Sequence, residues 1–423
     1  MLQRLSQNLT FWVLVAAVCG YLAATLFGDP AWVAGKDSPE SYELILLLKT
    51  TFLALLRMLV APIIFFSLIG GLLHIGDASR LKTLGSVAIL YYVCTTCIAI
   101  AIGLSLVFFW HPWVGVVEPI TVDAALQSPN YVPPAGFIAQ ESGSLTRVLT
   151  GLLSAAFTNP FTALAELNIL GIAVNAFMLG LGMVLAVPAS SPLVTAVHHI
   201  NDTLHKVLSW VVLLTPVGIF AIIFDVTLKS DGALVESLAG FVAVVVAGTL
   251  LHGVVILPLI ARFATGLSPV AFVRKAAEPL LVAFATSSSA ATIPISMETA
   301  EREFGVSDTV TSFVFPLGAT MNMDGTALYE GIAAVFMAYL FGIDLTTTGM
   351  LTIFFMAMVS SIGAPGMPSG SMAGMQMVLL GAGIPLEAIG ILLVVERPLD
   401  TIRTAVNVEG DIVGALVTQR FMR

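Results

Sequence analysis

The residues best suited to chemistry lie where an apolar sequence should not hold them. Within the last apolar stretch, Glu396, Asp400, Arg403, Thr404, Asn407 and Asp411 follow offsets of 0, 4, 7, 8, 11 and 15. At about 100° per residue they share an arc of roughly 100° on one helix face. A charge at the centre of a bilayer costs about 2.5–3.5 kcal/mol even on the lenient insertion scale. Such a stripe therefore implies a hydrated or ligand-filled interior. The competing reading, a helix end solvated in the cytoplasm, suits Arg420 and Arg423 but leaves Asp400 unexplained.

A second group is Gly318-Ala319-Thr320-Met321-Asn322-Met323-Asp324-Gly325-Thr326. On an unbroken helix Asn322, Thr326, Tyr329 and Glu330 share a face, and Asp324 points about 200° away from Asn322. A break at Asn-Met-Asp-Gly frees backbone carbonyls and lets Asp324 serve a separate site. Amide, hydroxyl, carbonyl and carboxylate oxygens suit a hard cation. A glycine-rich distortion with buried amides is the structural alternative. The Thr286-Ser287-Ser288-Ser289 run and the segment from Ser360 to Ser371 interrupt two further apolar stretches, 269–296 and 350–380.

These groups must be carried by membrane helices. The 423 residues are 58% hydrophobic and only 10% charged, against about 25% charged in soluble domains. That balance excludes a water-soluble globule and a disordered chain. A net charge of −9 without a basic cluster argues against nucleic-acid binding. Stretches long enough to span lie at 9–27, 44–75, 84–110, 169–187, 207–226, 238–260, 310–341 and 384–421, with kinks expected at Pro62 and Pro216. The first of these has no small-residue cleavage site and reads as a retained helix. The segment 111–147 is the one soluble-looking loop.

Charge placement orients the spans. With the N-terminus inside, inner connections hold Arg4, Arg80, Lys82, Lys206, Arg262, Arg274, Lys275, Arg302, Arg420 and Arg423, and outer ones only Lys36, Arg147 and Lys229. Both termini are thus expected in the cytoplasm. Lys49 and Arg57, inside the second stretch, are expected to snorkel to an interface. Counting 269–296 or 350–380 as a full span breaks this alternation. Each reads better as a re-entrant hairpin with an irregular tip, tolerated only when buried in protein or lining a wet cavity. Paired interruptions of this kind point to a transporter built from repeats, although no internal sequence identity relates the halves. Cys94 and Cys97 form a C-x-x-C, but within an apolar helix and without a second ligand pair they read as packing residues.

The sequence closely resembles the dicarboxylate/amino acid:cation symporter family, which includes archaeal aspartate and animal glutamate transporters. The resemblance runs over almost the whole chain. It is carried by Thr286–Ser289, by Asn322-Met323-Asp324-Gly325-Thr326-Ala327-Leu328-Tyr329-Glu330, by Ser361-Ile362-Gly363, and by the motif from Leu399 to Asp411. It implies an all-α membrane protein with eight transmembrane helices, two re-entrant helical hairpins and inverted repeats. It also implies a homotrimer in the lipid bilayer of a plasma membrane, the inner membrane in a bacterium. Each subunit would move substrate as an elevator. Residues 1–267 would form mainly scaffold and trimerisation helices, with the third and sixth spans joining a transport domain whose core is 268–423.

Carried over residue by residue, the resemblance implies that Arg403 holds a substrate side-chain carboxylate and Asp400 its α-ammonium. Ser287, Ser288 and Asn407 would receive the α-carboxylate end, and Thr326, Thr404, Met367 and Gly370 would complete the pocket. Acidic amino acids, aspartate or glutamate, are the implied substrates. One sodium site would use Gly318, Asn322, Asn407 and Asp411. A second would use Thr320, Ser361, Ile362 and Ala364. A third would use Tyr92, Thr95, Thr96, Asn322 and Asp324. No cofactor is implied beyond sodium as coupling ion, with the proton a candidate second one: Glu330 stands where animal glutamate transporters have a proton-carrying glutamate. The chain lacks the arginine that archaeal members place at Thr286 and animal members at Thr401. Arg397 either replaces that charge or pairs with Glu396.

Two other functions compete with this one. A proton-coupled C4-dicarboxylate symporter would not need Asp400 for an amine. An anion channel would use the same buried Arg and Ser residues without accumulating substrate. An enzyme is not expected: the serine run has no base, since His74, His111, His198, His199, His205 and His252 lie outside the motif segments.

Overall fold

In a computed structural model, the described residues are 9–34, 38–73, 84–116, 153–154, 156–166, 168–229, 233–363, 371–385 and 388–422. Among them the chain is helical. The elements are α1 (Leu9–Phe27), α2 (Glu40–Leu73), α3 (Ser86–Phe109), α4 (Pro160–Ala165), α5 (Ile169–Ala186), α6 (Pro192–Leu213), α7 (Thr215–Lys229) and α8 (Ala233–Leu250). A π-helical turn, Leu251–Ile256, leads into α9 (Leu257–Thr265). Then follow α10 (Pro269–Thr286), α11 (Ser289–Phe304), α12 (Asp308–Met321), α13 (Asp324–Leu340), α14 (Thr347–Gly363), α15 (Ser371–Gly381) and α16 (Ala388–Phe421).

Three helical stretches are long and apolar enough to cross a membrane by length and composition: 40–73, 86–109 and 236–265. The helices α6 and α7 pass together but meet at a 52° bend. The bend falls at Leu214, just before Pro216, whose ring cannot continue the hydrogen-bond ladder. Pro62, by contrast, lies inside the unbroken α2. The fifth expected stretch, 207–226, is thus divided between two helices, and α6 runs back to Pro192 through Asp202 and Lys206. Hydropathy misses this part because it is amphipathic, with Val194, Val197, Leu208 and Val211 buried on one side only.

Local chemistry sets the breaks. Ser268 caps α10 by accepting from the Ala271 N–H, with Pro269 in the first turn. Gly266 and Gly305 end their helices in the left-handed region, with φ of 79° and 66°. The α12–α13 break falls at Asn322 and Met323, whose backbones leave the helical region. Both expected interruptions are present as paired helices, α10–α11 and α14–α15, that pack on each other. The tip between α14 and α15, including Ala364, Met367 and Gly370, lies outside the described residues.

At the centre stands α16, packed against α3, α9, α10, α12 and α13. The helices α1, α2, α5, α6 and α7 pack chiefly among themselves. There Lys49 departs from expectation. It does not snorkel: its Nζ meets Asp225 Oδ2 at 2.7 Å, while Tyr42 donates to Asp225 Oδ1 at 2.8 Å. The lysine head thus turns to a buried acid on the facing helix instead of toward water. Arg57's side chain and residues 117–150 lie outside what is described.

Candidate functional site

The stripe on α16 is buried throughout. Glu396, Asp400, Arg403, Thr404, Asn407 and Asp411 are each at most 5% exposed. A solvated helix end is thereby ruled out for this part of α16. Arg403, wholly buried, donates through Nη2 to Glu396 Oε1 at 2.8 Å, Asp400 Oδ1 at 3.1 Å and Ser371 Oγ at 3.2 Å. The Tyr329 ring lies across the guanidinium, 3.9 Å from Cζ. Arg403 is therefore the cation that Glu396 meets, in place of the neighbouring Arg397.

Next to this cluster the α12–α13 break does what its residues suggest. Asn322 donates through Nδ2 to Asp411 Oδ1 at 2.9 Å and to the Asn407 carbonyl at 3.3 Å. Asn407 accepts from the Gly325 N–H at 2.8 Å and donates to Thr326 Oγ1 at 3.3 Å. Gly325 is required here, because a Cβ would come within 2.8 Å of the Arg403 carbonyl. At Gly318 an added methyl would run into Asp411 Oδ1 and the Tyr92 hydroxyl. Tyr92 itself donates to the Val314 carbonyl at 3.0 Å.

Asp324 faces elsewhere, as the break allows. Thr96 donates to its Oδ1 at 2.7 Å, and His252 Nε2 meets its Oδ2 at 3.0 Å, with Asp324 and His252 both fully buried. His252 is the residue that sequence reasoning missed. It lies outside the motifs, but it sits in the π-helical turn, a distortion that is frequent at functional sites. Pro258, four residues after Val254, cannot donate back to it and is the signal that could have marked the irregularity.

Several other expected site residues are tied to their own helices. Ser288 Oγ caps α11 by accepting from the Ala291 N–H at 3.2 Å, and Ser287 before it is held at φ 51°, left-handed for a residue with a Cβ. Thr95 bonds back to the Tyr91 carbonyl and Thr320 to that of Leu317, each within its own helix. Ser361 does the same toward Met358, and the Ile362 carbonyl rests against Gly71 of α2. Glu330 is fully buried, with Ser360 donating to its Oε1 at 2.9 Å.

The donor set fits a hard cation. Asn322 Oδ1 is buried with no hydrogen-bond partner, on the same amide whose Nδ2 donates to the Asp411 carboxylate, and amide and carboxylate oxygens suit such an ion. Broken helices of an apolar protein converge on buried charges and an unsatisfied amide oxygen. That combination fits a membrane protein that carries solutes with ions.

The comparisons with known proteins name the class more closely. The model of the sodium:dicarboxylate symporter family matches residues 9–421, and the chain belongs to that family. It is 31% identical to the neutral amino acid transporter B(0) of Bos taurus, over 99% of this chain and 81% of that protein. It is 30% identical to an excitatory amino acid transporter of Caenorhabditis elegans, over 97% and 86% respectively. It is 32% identical to the neutral amino acid transporter A of Homo sapiens, over 86% and 73%. The protein is thus an integral membrane, sodium-coupled amino acid transporter and not an enzyme.

Proposed function

We propose that the chain couples inward sodium movement to uptake of acidic amino acids, moving substrate by an elevator stroke. The observation that carries this reading is Arg403. A wholly buried guanidinium, with Nε and Nη1 unpartnered, is suited to a substrate carboxylate. Asp400, one turn earlier, suits an α-ammonium. Asn407, Thr326, Thr404, Ser287, Ser288, Met367 and Gly370 would complete the pocket. Sodium would be held by Gly318, Asn322, Asn407 and Asp411, by Tyr92, Thr95, Thr96, Asn322 and Asp324, and by Thr320 with Ser361, Ile362 and Ala364. Glu330 is the candidate carrier of a co-transported proton.

The packing pattern supports a division in which α10–α16, with α3, α8 and α9, move against α1, α2 and α5–α7. Eight spans with two re-entrant hairpins, both termini cytoplasmic, and a homotrimer complete the reading. A second reading, neutral amino acids, is favoured by the carboxylate of Glu396 already seated on Arg403. Two of the relatives above carry neutral amino acid transporter as their names.

Uptake of aspartate, glutamate, serine and succinate into proteoliposomes, with sodium and proton gradients imposed separately, tests the proposal. Sodium-driven accumulation of the acidic amino acids ahead of serine and succinate is expected. Accumulation driven by neither gradient sinks the symport assignment, and preference for serine sinks the acidic reading.

A further inference from the structure

Arg403 is suited to a carboxylate, and the protein has placed one of its own there. Glu396 Oε1 lies 2.8 Å from Nη2, Asp400 Oδ1 3.1 Å and Ser371 Oγ 3.2 Å. Ser371, the first residue of α15, donates its single hydrogen to Glu396 Oε1 at 2.7 Å and accepts from Arg403. One hydroxyl therefore holds the Glu396 carboxylate against the guanidinium, and every member is at most 5% exposed.

The choice of nitrogen matters. A guanidinium grips a carboxylate with two parallel bonds along either of two edges, Nη1 with Nη2 or Nε with Nη2. Nη2 belongs to both edges, and it is the nitrogen that all three partners occupy. Nη1 and Nε are buried without partners. They do not form a two-pronged edge together, because their hydrogens diverge. The Tyr329 ring fixes the guanidinium plane, 3.9 Å from Cζ, so Arg403 cannot readily turn a fresh edge. An incoming carboxylate meets single bonds only, unless Glu396 gives up Nη2. It also meets two carboxylates against one cation, a repulsion that a neutral side chain escapes.

We propose that Glu396 is a specificity-determining residue. It competes with the substrate carboxylate for Nη2 of Arg403 and narrows the preference for acidic over neutral amino acids. This rests on the reading of Arg403 as the carboxylate-holding residue. A tie whose sole purpose is to join α15 to α16 would affect all substrates alike.

The test is the ratio of half-saturating concentrations for aspartate and serine, measured on the full chain in proteoliposomes with an inward sodium gradient. Glu396→Gln keeps the size but replaces the charged acceptor on Nη2 with a weaker neutral one, which an incoming carboxylate displaces more readily. It should shift the ratio about tenfold toward aspartate, the scale of one charge-assisted bond. A ratio unchanged within about twofold, or moved toward serine, overturns the role. If the Gln variant does not assemble, Ser371→Ala, which loosens Glu396 without removing a charge, must move the ratio in the same direction by a smaller factor. No shift, or the opposite one, overturns the role equally. Wild-type protein that takes up neither amino acid overturns the transport reading as well. Wild-type uptake with an unmoved ratio overturns only the part given to Glu396.

Discussion

His252 Nε2 and Asp324 Oδ2, 72 residues apart in sequence, lie 3.0 Å apart with both side chains wholly buried. Asp324 is thereby held from two sides, Thr96 on one oxygen and His252 on the other. A donor that orients a cation-binding carboxylate affects affinity without touching the ion. With Asp324 as the proposed sodium ligand, His252→Leu should raise the sodium concentration for half-maximal uptake by about tenfold. His252→Gln, which returns an N–H at a similar reach, should recover most of that loss. A defect confined to folding would lower the maximal rate and leave the half-saturating sodium concentration alone. If Leu and Gln behave alike on the sodium curve, the orienting role is lost.

Gly318 tests the proposed cation site at Asn322 and Asp411. Its missing side chain leaves room beside Asp411 Oδ1 and the Tyr92 hydroxyl, next to the unpartnered Asn322 Oδ1. A ligand that binds only the native state raises the unfolding midpoint with its concentration. Wild-type protein in detergent should therefore gain thermal stability with rising sodium chloride and not with choline chloride. Gly318→Ala should flatten that sodium response by filling the space. A full sodium response in the variant removes Gly318 and Asp411 from the site.

The limits of the sequence follow from the same residues. The α16 stripe was legible because one helix carries it and the helical period alone collects its side chains. The α12–α13 break was legible because Asn-Met-Asp-Gly is a local signal. The Asp324 contact with His252 is not local: it depends on a π-helical turn that rotates one side chain inward, which no apolar periodicity records. Likewise the seating of Glu396 on Arg403 was not legible, since the hydroxyl that pins Glu396 comes from Ser371 on another element. Lys49 was misread for the same reason, its partner lying 176 residues away.

Glu330 offers a direct test of proton coupling. It is fully buried on α13, and its hydrogen-bonded oxygen is tied to Ser360 of α14. If it loads a proton with the substrate, sodium-driven uptake should be faster at an external pH of about 6 than of about 8. Glu330→Gln, a permanent analogue of the protonated form, should take up substrate at the same rate at both. A variant that retains the wild-type difference excludes Glu330 as the carrier.

The Lys49–Asp225 pair predicts stability and not transport. Asp225 is fully buried between α2 and α7, accepting from Lys49 at 2.7 Å and from Tyr42 at 2.8 Å. Removing one partner of a buried pair leaves an uncompensated charge, at a cost of about 3–5 kcal/mol. Lys49→Met should accordingly lower the unfolding midpoint in detergent sharply. Adding Asp225→Asn removes the charge that Lys49 balanced and keeps an oxygen for Tyr42, so the double variant should be more stable than the single. The pair joins α2 to α7, helices that pack chiefly with each other and with α1, α5 and α6, and the double variant should keep the wild-type half-saturating substrate concentration. A double variant no more stable than Lys49→Met would show that Asp225 is not a charge in need of Lys49, and that packing alone holds α2 to α7.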